Sequence, residues 1–231
     1  MEKVVFLPGL LCDAALWDSQ VEALRDCCQP LVADLRGAEE IGALARKVLR
    51  TAPERFGLVG LSMGGYVAFE VWRQAPERVT RLALLATSAS PDSPEKARQR
   101  RAAIASLQSG RFVGVRSRML SQLIHPRHQQ GPVGKLVQEM ATRVGGQTFA
   151  EQQRVILSRP DSRPTLGQIG VPTLVGVGDQ DLLTPEAESR EISEGIAGSR
   201  FYRFAECGHL PPLECPEETT AQLRDWLTWD A

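Results

Sequence analysis

The chain has 231 residues, with 27 Lys and Arg against 28 Asp and Glu, and 42% of its residues are hydrophobic. That length can bury a sizeable core in one domain, and a formal net charge of −1 offers no strong field for nucleic acid or an anionic membrane surface. Five cysteines, with no C-x-x-C spacing and no Cys/His cluster, exclude a metal finger and fit reduced thiols in a cytoplasmic protein.

In chain order, short apolar runs alternate with helical patterns. Lys3–Leu7 reads as a strand, Ala14–Cys27 as a helix, Pro30–Asp34 as a second strand and Glu39–Thr51 as a second helix. Between the first strand and helix, Val4 to Cys12 is apolar, but Glu2 beside Lys3 and the break at Pro8-Gly9 argue against an export leader. Arg55–Leu61 is a third strand, Met63–Ala75 a third helix and Val79–Ala86 a fourth strand. After a long gap come the strand Val171–Val177, the helix Pro185–Gly195, the strand Ser199–Phe204 and a closing helix Pro216–Trp229. Strand-helix alternation of this kind predicts a parallel sheet covered on both faces, and nearly all-apolar strands such as Leu82–Leu85 fit that burial. No stretch approaches the roughly 20 apolar residues of a membrane span.

Residues 88–165 break the rhythm with helical patterns punctuated by proline and glycine, and read as an insertion between two parts of one core, 1–87 and 166–231. The insertion carries 13 Lys and Arg against 5 Asp and Glu, leaving 14 against 23 elsewhere, so a basic segment of about +8 sits on an acidic body of about −9.

Gly60-Leu61-Ser62-Met63-Gly64 fits G-x-S-x-G, follows a predicted strand and opens a predicted helix. A serine on that sharp turn needs glycines two residues away on each side, where the strand and helix approach closely. A serine hydroxyl needs a base to take its proton. Of the three histidines, His125 and His128 read as surface residues of the insertion, whereas His209 follows the last strand, at the carboxyl end where open α/β sheets keep their sites. The base in turn needs an acid to hold its tautomer. Asp179 and Asp181 both follow the fifth strand, and spacing alone leaves both open.

Together with Pro8-Gly9-Leu10, Trp17, Gln20, Asp34–Gly37, Val171-Pro172-Thr173-Leu174, Gly178-x-x-Asp181-x-x-Thr184-Pro185 and Gly208-His209, these motifs resemble the α/β-hydrolase superfamily, in its compact serine esterase and C–C hydrolase group. The resemblance implies an α/β-hydrolase fold whose usual first two strands are missing, leaving a mostly parallel sheet of about six strands flanked by helices, with residues 88–165 as a helical lid. It favours Asp181 over Asp179 as the acid, and assigns the oxyanion hole to the backbone N–H groups of Leu10 and Met63. The chain departs from most relatives in having Pro8 where they carry histidine. The activity implied is hydrolysis of a small carboxylic ester, thioester or related acyl substrate through Ser62, His209 and Asp181, without metal or cofactor. A C–C hydrolase or a lyase like the menaquinone-pathway synthase uses the same residues, and a receptor that has lost catalysis is a third possibility. Two further expectations concern single residues: Asp34 ties a loop, and Cys207 is a packed thiol. For the basic insertion, docking on the acidic body competes with the binding of an anionic substrate group, for which Arg98, Arg101, Arg116 and Arg118 are the candidates.

Overall fold

The computed structural model describes residues 1–110 and 112–229. Six strands, β1 (Glu2–Leu7), β2 (Cys28–Val32), β3 (Phe56–Leu61), β4 (Val79–Leu85), β5 (Thr173–Gly178) and β6 (Arg200–Phe204), form one sheet in the order β2-β1-β3-β4-β5-β6. Every neighbouring pair is parallel. The central strands β3 and β5 are buried at every position, as strands covered on both faces must be. The edge strands β2 and β6 are exposed at several positions. Pro30 sits in β2, where a missing N–H is tolerated because one side of an edge strand is unpaired.

One face of the sheet is covered by α2 (Ile41–Thr51) and α3 (Met63–Gln74), whose apolar residues Leu44, Val48, Val67 and Val71 are buried against Val5, Leu58 and Leu82. Phe6, Val59 and Leu174 on the other face pack with Trp17, Leu223 and Trp226. Trp17 closes a 3₁₀ turn, Ala14–Trp17, ahead of the short helix α1 (Asp18–Ala23). The sequence reading of one helix to Cys27 overran, because Cys28 already pairs with Glu2 in the sheet and the chain turns at Leu24 to reach it.

Between β4 and β5 the chain forms α4 (Pro94–Ser109), α5 (Ser117–Leu123), α6 (Pro132–Leu157) and α7 (Arg163–Leu166), and no strand among the described residues. Helix α6 is kinked at Gly145, whose φ of +76° is open to glycine without strain. The remaining helices are α8 (Glu186–Gly195), the short α9 (Pro211–Glu214) and α10 (Pro216–Trp226). The sequence reading missed α9, and it carried α10 three residues too far. Among the described residues, no helix is long and apolar enough to cross a membrane.

Candidate active site

Strand β3 ends at Leu61 and helix α3 begins at Met63, so Ser62 makes the whole turn. Its backbone lies at φ +54°, ψ −115°, a strained conformation for any residue with a side chain. The surroundings hold it there. Ser62 N–H donates to the Leu85 carbonyl at 2.9 Å, and its own carbonyl accepts from Thr87 Oγ1 at 2.8 Å and from Gly65 N–H at 2.9 Å. The flanking glycines are required by space. A Cβ on Gly60 would lie 2.6 Å from the Gly64 oxygen, and one on Gly64 would lie 2.2 Å from the Leu7 oxygen.

Ser62 Oγ lies 2.8 Å from His209 Nε2, and His209 Nδ1 lies 2.7 Å from Asp181 Oδ2. His209 and Asp181 are both buried. Asp181 also accepts from the backbone N–H groups of Leu183 at 2.8 Å and Thr184 at 2.9 Å, and from Thr184 Oγ1 at 2.8 Å. Burial alone would raise the Asp181 carboxyl, but the charge and hydrogen bond of His209 and the bonds from Thr184 outweigh it and hold the group below the usual carboxylate range. Asp179 serves another purpose. Its Oδ1 accepts from Cys207 N–H at 3.1 Å, tying the loop after β5 to the loop that carries His209.

Glu214, which the sequence reading passed over, holds that second loop. Its buried carboxylate accepts from the N–H groups of His125 (2.7 Å), Gly208 (3.0 Å) and Leu210 (2.9 Å). His209 N–H donates to the Leu123 carbonyl at 2.8 Å, so α5 is bonded to the histidine itself. His125 lends only its backbone here, and neither it nor His128 lines the cavity above Ser62. Asp34 pairs with Arg36 at 2.7 Å and Lys47 at 3.4 Å, tying its own loop. Cys207 is fully buried, and the neighbouring free thiol of Cys215 together with burial pushes its own thiol up. Cys12, which lines the cavity, is pushed up to about 12 by burial and by Asp13, so both thiols stay protonated near neutral pH.

Ser62 and His209 open into a cavity of about 570 Å³. Much of its wall is apolar, including Leu10, Leu61, Val115, Val137 and Phe149. Gly9 lies against Ser62, and Met63, as the first residue of α3, has no intrahelical acceptor for its N–H. The loop after β1 is fixed from above: Leu11, at φ +60°, donates its N–H to the buried Gln152 Oε1 on α6 at 3.1 Å. Arg98, Arg101, Arg116 and Arg118 are exposed and absent from the cavity wall, because they stand on the outer faces of α4 and the α5 start. The arginines that do line it are Arg100 and Arg159; Arg100 lies within one turn of Arg98 and Arg101, from which spacing could not separate it. Among the described residues no group of three His, Cys, Asp or Glu is gathered to hold a metal.

A serine on a strand-to-helix turn of a parallel sheet, bonded to a histidine that in turn holds a buried aspartate, defines the serine-hydrolase class of α/β proteins. Residues 43–216 match the family model for the alpha/beta hydrolase fold, and the chain belongs to that family. It is similar to the pimeloyl-[acyl-carrier protein] methyl ester esterases of Nitrosomonas europaea (26% identical, covering 93% of this chain and 91% of the relative) and Vibrio parahaemolyticus (27%, covering 96% and 93%). Among solved structures it is similar to a thermophilic esterase from Thermogutta terrifontis, with 30% identity, a TM-score of 0.88 and coverage of 98% of this chain and 89% of that one. The enol-lactonase of Burkholderia xenovorans LB400 superposes with a TM-score of 0.85 at 25% identity, over 99% and 92% of the two chains.

Proposed function

We propose that Ser62, His209 and Asp181 hydrolyse a carboxylic ester through an acyl-enzyme. The protein is an α/β-hydrolase acting on ester bonds, as its esterase relatives are, and the carrying observation is the unbroken chain of hydrogen bonds from Ser62 Oγ through His209 to Asp181. His209 Nε2 takes the Ser62 proton as Oγ attacks the ester carbonyl, and returns it to the departing alcohol. A water then attacks the acyl-enzyme with His209 again as base, and the carboxylic acid leaves. Asp181 keeps Nδ1 protonated and stabilises the imidazolium. The oxyanion is received by the N–H groups of Met63 and Leu10, the first at the positive end of α3.

Residues 88–165 act as a lid on a core formed by 1–87 and 166–231, which the position of α5 and α6 on the cavity wall supports. The substrate class is a small acyl ester held in an apolar chamber. Five unpaired cysteines, two of them adjacent, fit a reducing cytoplasm.

The decisive assay is Ser62→Ala on p-nitrophenyl acetate and butyrate. A folded variant should lose roughly 10⁴ to 10⁶ in rate. Retention of more than about a tenth of wild-type activity would remove Ser62 from the role of nucleophile.

A further inference from the structure

The chamber over Ser62 has a second polar patch that ester cleavage does not require. It is built by Asp92, ahead of α4, with Arg100 on α4, Gln153 on α6 and Arg159 just beyond α6. Asp92 accepts from Arg100 Nε at 2.6 Å and Nη2 at 3.4 Å, and from Arg159 Nη2 at 2.9 Å. Its side chain is only 6% exposed. Two guanidinium groups therefore share one buried carboxylate, and one positive charge is left over. Lys96 does not alter the sum, because it pairs with Glu188 at 3.4 Å.

The two arginines differ in what they have left to give. Arg159 is 6% exposed, stacks on the Tyr66 ring at 4.2 Å, and gives three further N–H groups to the carbonyls of Ser90 and Ile156, which leaves one, on Nη1. Its work is to hold Asp92 and the chamber wall. A guanidinium has five N–H groups. Arg100 gives two to Asp92 and one, from Nη1, to Gln153 Oε1 at 2.8 Å. Two remain, one on each terminal nitrogen, on a side chain that lines the chamber and is 21% exposed. A pair of N–H groups on the two terminal nitrogens of a planar cation matches the two oxygens of a carboxylate.

We propose that Arg100 binds a free carboxylate of the substrate, so that the enzyme prefers monoesters of aliphatic dicarboxylic acids, with the ester carbonyl at Ser62 and the carboxylate on Arg100. The apolar remainder of the wall takes the methylene chain between them. This inference rests on the esterase reading of Ser62, but the Arg100 site can be tested without it.

The first experiment compares kcat/KM for monoethyl esters of C4 to C8 dicarboxylic acids with their neutral carboxamide-ended analogues. At the best chain length the acid should win by roughly tenfold or more, mainly through KM. Arg100→Gln should bring the acid-to-amide ratio close to one, while Arg100→Lys should keep part of it as a point charge without the fork. Gln153→Glu, which sets a competing carboxylate beside Arg100, should also abolish the preference and stands in if Arg100→Gln does not fold. A wild-type ratio near one, or a ratio that Arg100→Gln does not move, overturns the proposal. The second experiment needs no turnover: calorimetric binding of the free dicarboxylates to Ser62→Ala, with inorganic phosphate as the alternative anion. Binding weakened tenfold or more by Arg100→Gln supports the carboxylate site, and tighter binding of phosphate than of any dicarboxylate refutes it. If neither ester series is hydrolysed, the esterase reading fails and this binding measurement decides the Arg100 site by itself.

Discussion

Asp179 and Asp181 stand two residues apart on one loop, and their partners separate their roles. Asp181 faces His209 and is saturated with donors, whereas Asp179 spends an oxygen on Cys207 N–H. Asp181→Asn should therefore lower kcat by about 10⁴, by stabilising the wrong tautomer of the histidine. Asp179→Asn, scored in the same assay, should lose little turnover and instead lower Tm. The reverse ranking would hand the acid role to Asp179. Asp181 also makes a prediction in acid. Its carboxyl lies below its unfolded value, so the unfolded chain takes up the proton first as pH falls. The stability it contributes is complete above about pH 4 and drains away as pH drops through the lower folded value. Urea unfolding of the wild type and Asp181→Asn should show a stability difference that shrinks below about pH 4; a difference that stays constant down to about pH 2 would contradict the assigned direction.

At the level of elements, the strain at Ser62 persists because β1, β3 and α3 meet at van der Waals limits. Gly64→Ala places a methyl group against the Leu7 carbonyl, a rigid backbone atom, so relief requires α3 to move away from β1. The expected result is a fall in Tm of more than about 10 °C, or loss of soluble protein, since overpacking against backbone belongs to the strongly destabilising class. Scanning calorimetry checks it, and a Tm within about 3 °C of wild type would mean that the turn is looser than its geometry requires. The turn was legible from the sequence because all its parts lie within one short stretch, Gly60 to Gly65. Glu214 was not. Its role exists only once the chain near His125 and the loop around His209 have closed around it, and His125 is 89 residues away. Arg100 was hidden for a similar reason. Arg98, Arg100 and Arg101 lie within one helical turn of a polar helix, and only the packing of Gln153 beside α4 shows which of the three faces inward.

For the whole molecule, part of the split between a basic segment and an acidic body is met by ion pairs between the two. Arg143 meets Asp13 at 2.6 Å, Arg154 meets Glu39 at 2.7 Å and Arg127 meets Glu206 at 2.5 Å, all partly exposed. Pairs of this kind contribute at most about 1 kcal/mol each and are screened by salt. Raising NaCl from roughly 0.02 M to roughly 0.5 M should lower Tm by a few degrees, with no change in the wild-type order of substrate preference. A Tm that holds or rises would leave the seam without net electrostatic stabilisation. The six strand segments were legible, most of them as apolar runs separated by helical patterns, whereas their order in the sheet was not, because it depends on pairings between distant segments. The ends of β2 and α1 were not, since Cys27 and Cys28 suit a helix, a turn or an edge strand equally well until Glu2 supplies a pairing partner.

The bond from Leu11 N–H to Gln152 Oε1 joins the chamber roof to the loop that carries the Leu10 N–H. Raising α6 to widen the chamber strips a buried N–H of its acceptor, which costs about 1–3 kcal/mol unless water replaces it. It also frees a loop whose φ of +60° at Leu11 has no other hydrogen bond from that amide to maintain it. Gln152 thus ties a helix from between β4 and β5 to the loop after β1, and the loss of its side-chain oxygen loosens backbone that lies beside Ser62.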